Sequence, residues 1–159
     1  MKIVAILATT IIVLLATLIW QITDHRQIYF NERCFANIEY LDASSDNSLP
    51  FHGNIVFEFL TDQTGQFNLS GTISHNEKEY TFSRYVKFSY KNIVDNNYRL
   101  KIHAIEALSH DNVPEEISEF VIKRLTLSGE RTIYLQKNDA SVITIGNPLT
   151  PMFNCVIQS

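Results

Sequence analysis

From about Ile28 onward, apolar and polar residues alternate with a period of two rather than 3.6. Within 66–74, Phe67, Leu69, Gly71 and Ile73 share one face, with Gln66, Asn68, Ser70, Thr72 and Ser74 on the other. Ile55, Phe57 and Phe59 fall together within 54–60. Over 79–91, Tyr80, Phe82, Val86, Phe88 and Tyr90 oppose Glu79, Thr81, Ser83, Lys87, Ser89 and Lys91. Over 98–106, Tyr98, Leu100, Ile102 and Ala104 oppose Arg99, Lys101 and His103. Successive side chains of a strand point to opposite faces, so each run predicts a strand with one buried face. The connectors at 62–65, 75–78 and 92–97 are too short for parallel crossovers, and hairpins follow. Pairing through them sets Leu69 opposite Arg84 and Gly71 opposite Phe82.

One helix interrupts this pattern. Asn112 can cap it, Pro114 falls in its first turn, and Glu115, Glu116 and Glu119 load its start, while Lys123 and Arg124 load its end and Gly129 follows. Charges of these signs complement the helix dipole at both ends. Ile117, Phe120, Val121 and Leu125 give it an apolar face to lay on the sheet. Further strands are expected near 131–136 and 141–146, with a last segment at 150–157. The fold class that results is mainly β (α+β): an antiparallel β-meander of seven or eight strands, forming a small barrel or strongly curved sheet with one helix packed on it.

Residues 3–20 follow neither period and carry no charge. As a helix they would be ~27 Å long, about the hydrocarbon thickness of a bilayer. Lys2 precedes them, and Trp20 closes them where an interfacial aromatic belongs. A cleaved signal peptide has a shorter apolar core and a small-x-small site, and no such triplet stands within 18–23. The expected organisation is a signal anchor or transmembrane helix over 1–25 and a β domain over 26–159. A cleaved signal and a buried soluble helix are the alternatives.

Composition sharpens this division. The 159 residues suit one domain, and 10 Phe with 7 Tyr supply more burial than a disordered chain carries. Net charge is −4; Lys2 is the one charge before Gln21, so the remainder carries −5. No basic run exists, which argues against direct nucleic-acid binding. Lys2 against Arg26 favours an inside amino terminus only weakly. The two cysteines, Cys34 and Cys155, say more: they border the β domain and read as a staple between its first and last strands on the oxidising side of a membrane. Two free buried thiols in a cytosolic domain are the other reading.

Arg84 breaks the alternation, holding an inward position between Phe82 and Val86. A guanidinium there needs a carboxylate, backbone carbonyls or an anionic ligand, because an unpaired buried charge is costly. Glu106, diagonal to it along the inward face of the following strand, is the nearest candidate partner. The alternatives are an anion held by Arg84 and a bulge that turns Arg84 outward. The histidines (His25, His52, His75, His103 and His110) show no HExxH-type spacing, and the cysteines form no CxxC. A Gly-rich phosphate loop and a G-x-S-x-G elbow are both missing. Asp111, Glu115 and Glu116 at a helix start first complement its dipole. The sequon at Asn68 falls on a strand and reads as chance. No catalytic residue, metal site or cofactor is implied.

The early Cys34, the glycine-spaced strand Gly65-Gln66-Phe67-Asn68-Leu69-Ser70-Gly71, the strand Arg84-Tyr85-Val86-Lys87-Phe88-Ser89-Tyr90 and the terminal Pro151-Met152-Phe153-Asn154-Cys155 resemble the FidL-like family of small bacterial inner-membrane proteins. The PsaF, MyfF and ToxS type of accessory protein has the same build. The resemblance implies a single-pass inner-membrane protein with its C-terminal domain in the periplasm. It also implies a non-enzymatic partner that stabilises or gates a membrane-bound winged-helix transcription regulator of the ToxR or CadC kind. The alternative is an independent periplasmic sensor of an amphipathic or lipophilic anion, held in a cavity of several hundred Å³ that Arg84 would reach.

Overall fold

The computed structural model describes residues 10–19, 30–40, 50–124, 129–138 and 141–158. Eight strands run in chain order: β1 (Arg33–Tyr40), β2 (Phe51–Phe59), β3 (Thr64–His75), β4 (Lys78–Val94), β5 (Asn97–Ala107), β6 (Glu130–Asn138), β7 (Val142–Asn147) and β8 (Thr150–Ile157). Each pairs antiparallel with the next, and β8 returns to β1, so the sheet closes into a barrel. A helical run, α1, covers 10–19, and α2 (Glu115–Arg124) stands between β5 and β6.

Two-residue turns set the register. Asn76 and Glu77 both take positive φ (50° and 62°), the backbone that matches the twist of a tight hairpin. Through that turn Leu69 pairs with Arg84 and Gly71 with Phe82, as the alternation predicts. Gly71 also faces Gly53 across β2, and a Cβ on Gly53 would meet the Ser70 carbonyl at 2.3 Å. Two strands approach closely here, and the Phe51 ring lies over the gap.

Up-and-down connectivity gives the barrel two distinct ends. The chain enters β1 at the near end; the β1–β2, β3–β4, β5–β6 and β7–β8 connections, α2 included, lie at the far end. The near end is packed with rings: Phe30 lies 5.5 Å from Phe59 and 5.7 Å from Tyr98, and the Tyr90 hydroxyl donates to the Leu60 carbonyl at 2.7 Å. Tyr80, Phe82, Val86, Phe88 and Tyr90 of β4 all face the core or its rim.

In β5 the alternation fails at one point. Phe88 pairs with Ile102 and Lys87 with Ala104, so His103 is the extra residue of a bulge. A one-residue insertion exchanges the faces of everything beyond it. Ala104, expected inside, therefore shares the outer face with Lys87; Ile105 takes the inward place opposite Val86, and Glu106 turns outward opposite Tyr85.

The α2 helix lays Ile117, Phe120 and Val121 against the core, while Leu125 lies outside the described residues. Asn112 does not cap it. Ser118 N donates to the Pro114 carbonyl (2.9 Å), so Pro114 holds the flanking position before Glu115, and Asn112 Oδ1 instead accepts from Thr81 N (2.7 Å). Of the apolar segment 3–20, the described part is α1, with Ile11, Ile12, Val13, Leu14, Leu15, Leu18 and Ile19 each more than half exposed. Residues 1–9 and 20–29, including Lys2 and Trp20, lie outside the described residues. Among those described, no helix is long and apolar enough to cross a membrane.

Candidate functional site

Arg84 does face inward, but its partner is not Glu106. Its Nη1 lies 2.8 Å from Asp111 Oδ2, and its Nη2 donates to Ser118 Oγ at 2.5 Å. Asp111 Oδ2 also accepts from Ser83 N (2.7 Å), and Oδ1 from Val113 N (3.2 Å). The chain reaches this position because 108–112 stays hydrogen-bonded alongside β4, through Leu108 N to Ser83 O and Asn112 N to Thr81 O. The guanidinium also lies 5.0 Å from the Phe82 ring centroid. The buried charge is balanced by this carboxylate and held by a hydroxyl and a ring. It is a clamp that ties α2 to the barrel wall. The β5 bulge is the reason Glu106 plays no part: on the outer face it pairs with Lys87 at 3.4 Å.

The barrel interior is not filled. A cavity of about 480 Å³ is walled by Phe57, Phe59, Phe67, Leu69, Leu100 and Leu135, among others. Three of the phenylalanines expected in the core thus line the cavity without closing it. Arg84 does not reach it; the base on its wall is Arg131, paired across β5–β6 with the inward Leu100. Arg131 shares its face with Ile133 and Leu135, a spacing readable in Arg131-Thr132-Ile133-Tyr134-Leu135 although the sequence pattern did not single it out. Burial lowers the pKa of its guanidinium from the usual value. The group remains charged at neutral pH because an unperturbed guanidinium titrates so high. Glu39, the acid among the lining residues, has a side chain 78% exposed and lies 3.9 Å from His52.

The cavity opens where β1 and β8 part. These strands pair only at Cys34 with Ile157 and Phe35 with Val156, and Gln158 N adds a bond to the Arg33 carbonyl (2.8 Å). From Ala36 to Tyr40, β1 has no β8 partner in the register. Asn37 to Tyr40 on one side and Met152 and Phe153 on the other line the cavity, outward-facing residues included. The paired, near-end part of this seam carries the Cys34–Cys155 disulfide, with both residues fully buried. The bond closes a separation of 121 residues. Among the described residues, no group of three or more His, Cys, Asp or Glu could hold a metal ion.

A family model described as "FidL-like putative membrane protein" matches residues 71–155, just over half of the chain. The matched stretch runs from mid β3 to Cys155. It contains the Arg84 clamp, the β5 bulge and Arg131, but neither Cys34 nor most of the Gly65–Gly71 strand. No curated protein matches the chain. The rival accessory type of PsaF, MyfF and ToxS gains no support.

Proposed function

Because the chain belongs to the FidL-like family, we propose that it is a non-enzymatic, single-pass accessory protein of the inner membrane. In this reading its periplasmic barrel binds, and stabilises or gates, the periplasmic domain of a membrane-bound winged-helix regulator of the ToxR or CadC kind. One observation carries the partner reading: Ala36–Tyr40 presents a strand edge that β8 leaves unpaired. Such an edge offers backbone donors and acceptors to an added strand, and proteins seldom leave one open without a use. The seven exposed apolar side chains of α1 support the anchor, since a surface of that kind needs a bilayer or a partner. The buried disulfide suits an oxidising compartment. Confinement to one membrane raises effective concentration, so a modest interface suffices.

The test is a photo-crosslinking amino acid at Asn37 or Glu39 in intact cells, with Lys101 on the outer face as control. Capture of a single-span winged-helix regulator from the first two positions and not from the third is the expected result. Its absence from both would remove the reading. A second reading, a holder of a lipophilic or amphipathic anion, is favoured by the 480 Å³ cavity itself. Its size lies within the range of small-molecule sites.

A further inference from the structure

Resting on the anchor reading, we infer that the near end of the barrel lies on the bilayer surface, with Leu60, Ile93 and Val94 in contact with lipid. Among the described residues, the exposed large apolar side chains of the barrel are Leu60, Ile93, Val94, Leu149, Met152 and Val156. Four of these six stand at the near end. Leu60 follows the last residue of β2, Ile93 and Val94 end β4, and Val156 is next to last in β8; all three strands run toward the near end. Leu149 and Met152 stand at the far end, about the β7–β8 turn. Asn92 pairs with Tyr98 and Val94 with Asn97, so Ile93 is the extra residue of a second bulge. Strict alternation would send Ile93 and Val94 to opposite faces; with the bulge at the hairpin tip, both stay in solvent.

The path of the chain points to lipid as the occupant. The chain enters the barrel at this end, and the Tyr90 hydroxyl lies within hydrogen-bond distance of both the Phe30 and the Leu60 carbonyls (3.2 and 2.7 Å). The entry point and Leu60 are therefore neighbours. Residues 20–29 separate α1 from Phe30, a stretch that spans at most ~40 Å. With α1 in the bilayer, the near end stays within that distance of the lipid surface, and the high effective concentration lets a few side chains suffice. Charge does not oppose the contact: Glu32 pairs with Lys137 at this rim, and Arg33 and Lys91 balance Asp62 and Asp95. Apolar tips on a charge-balanced rim suit a zwitterionic lipid surface, and the attraction comes from apolar burial, which salt does not screen. Docked in this way, the open Ala36–Tyr40 edge and Leu149 point away from the bilayer.

The experiment uses the full chain in phosphatidylcholine nanodiscs. The native cysteines are bonded to each other, so an introduced thiol, Val94→Cys at the near end or Leu149→Cys at the far end, can carry a fluorophore. The quenchers are a phosphatidylcholine with a nitroxide near its headgroup, and acrylamide in the water. The lipid quencher should remove most of the emission at Val94→Cys and little at Leu149→Cys, and acrylamide should do the reverse. Raised salt should leave this pattern in place; its loss would overturn the apolar contact. With the label at Leu60→Cys, the paired changes Ile93→Asp and Val94→Asp should cut lipid quenching, with thermal melts confirming the fold, and unchanged quenching would take the contact away from these side chains. Equal lipid quenching at Val94 and Leu149, or none at either in discs that hold the chain, would overturn the docked orientation while leaving the anchor. Protection of Val94→Cys from acrylamide without lipid quenching would give the tip to a protein surface instead, such as a second copy. A chain that does not enter the discs would remove the anchor reading, and the docking with it.

Discussion

Arg84 and Asp111 lie 2.8 Å apart in a setting where both side chains are more than nine-tenths buried. The pair joins the wall of the barrel to the turn before α2, and its geometry separates the structural cation from the one that faces the cavity. Arg84 Nη2 is held by Ser118 Oγ and Nη1 sits in the ion pair with Asp111, within the wall rather than on the cavity lining. A buried pair of this kind contributes little net stability over an apolar substitute, but losing one member leaves a charge stranded.

Asp111→Ala should therefore destabilise the protein by about 3–5 kcal/mol, and Arg84→Leu combined with Asp111→Leu by much less than the sum of the single changes. Glu106→Gln, on the surface, should stay within about 0.5 kcal/mol. Urea melts of these variants, the single Arg84→Leu and Asp111→Leu changes included, check this. A large Glu106 effect with a small Asp111 effect would contradict the clamp.

The bulge at His103 makes its own test. Ile105→Asp, on the inward face opposite Val86, should cost about 2–4 kcal/mol, while Ala104→Asp beside Lys87 should cost about 0.5 kcal/mol or less. Uninterrupted alternation from Tyr98 predicts the opposite order. Thermal denaturation of the two variants decides between them.

Cys34→Ser and Cys155→Ser should lower stability equally, with an upper bound of ~4–5 kcal/mol from loop closure, and the double variant should be no worse than either. The bond sits beside the few hydrogen-bonded pairs of the β1–β8 seam, so its loss should also increase hydrogen exchange at Phe35 and Val156. Unequal single effects would show that one thiol matters mainly for packing.

At the Asp62 turn, hydrogen bonds from the Thr64 hydroxyl (2.6 Å) and the Thr64 backbone N–H (2.9 Å) lower the carboxyl pKa below 3.8. A depressed folded value means that the stabilisation is present above pH 3.8 and is lost as pH falls through the folded pKa. Carbon-detected NMR titration should place Asp62 below that value, and Thr64→Val should move it back upward. An unchanged midpoint in Thr64→Val would remove the hydroxyl as the cause.

Much of this molecule is legible residue by residue. The period-two runs determine which side chains of β2, β3 and β4 face inward, because alternation is a property of the extended backbone itself. Short polar connectors determine antiparallel order, and two cysteines at the borders of the β domain suggest the bond across the seam. Tertiary structure decided the rest. One extra residue at His103 reverses the faces beyond it, and no local pattern marks where pairing will slip. The partner of Arg84 depends on the path of 108–112 along β4, not on the nearest strand position. The cavity beside Arg131 exists because eight strands close around more space than their inward side chains fill, and that volume belongs to the closed barrel and to no strand alone.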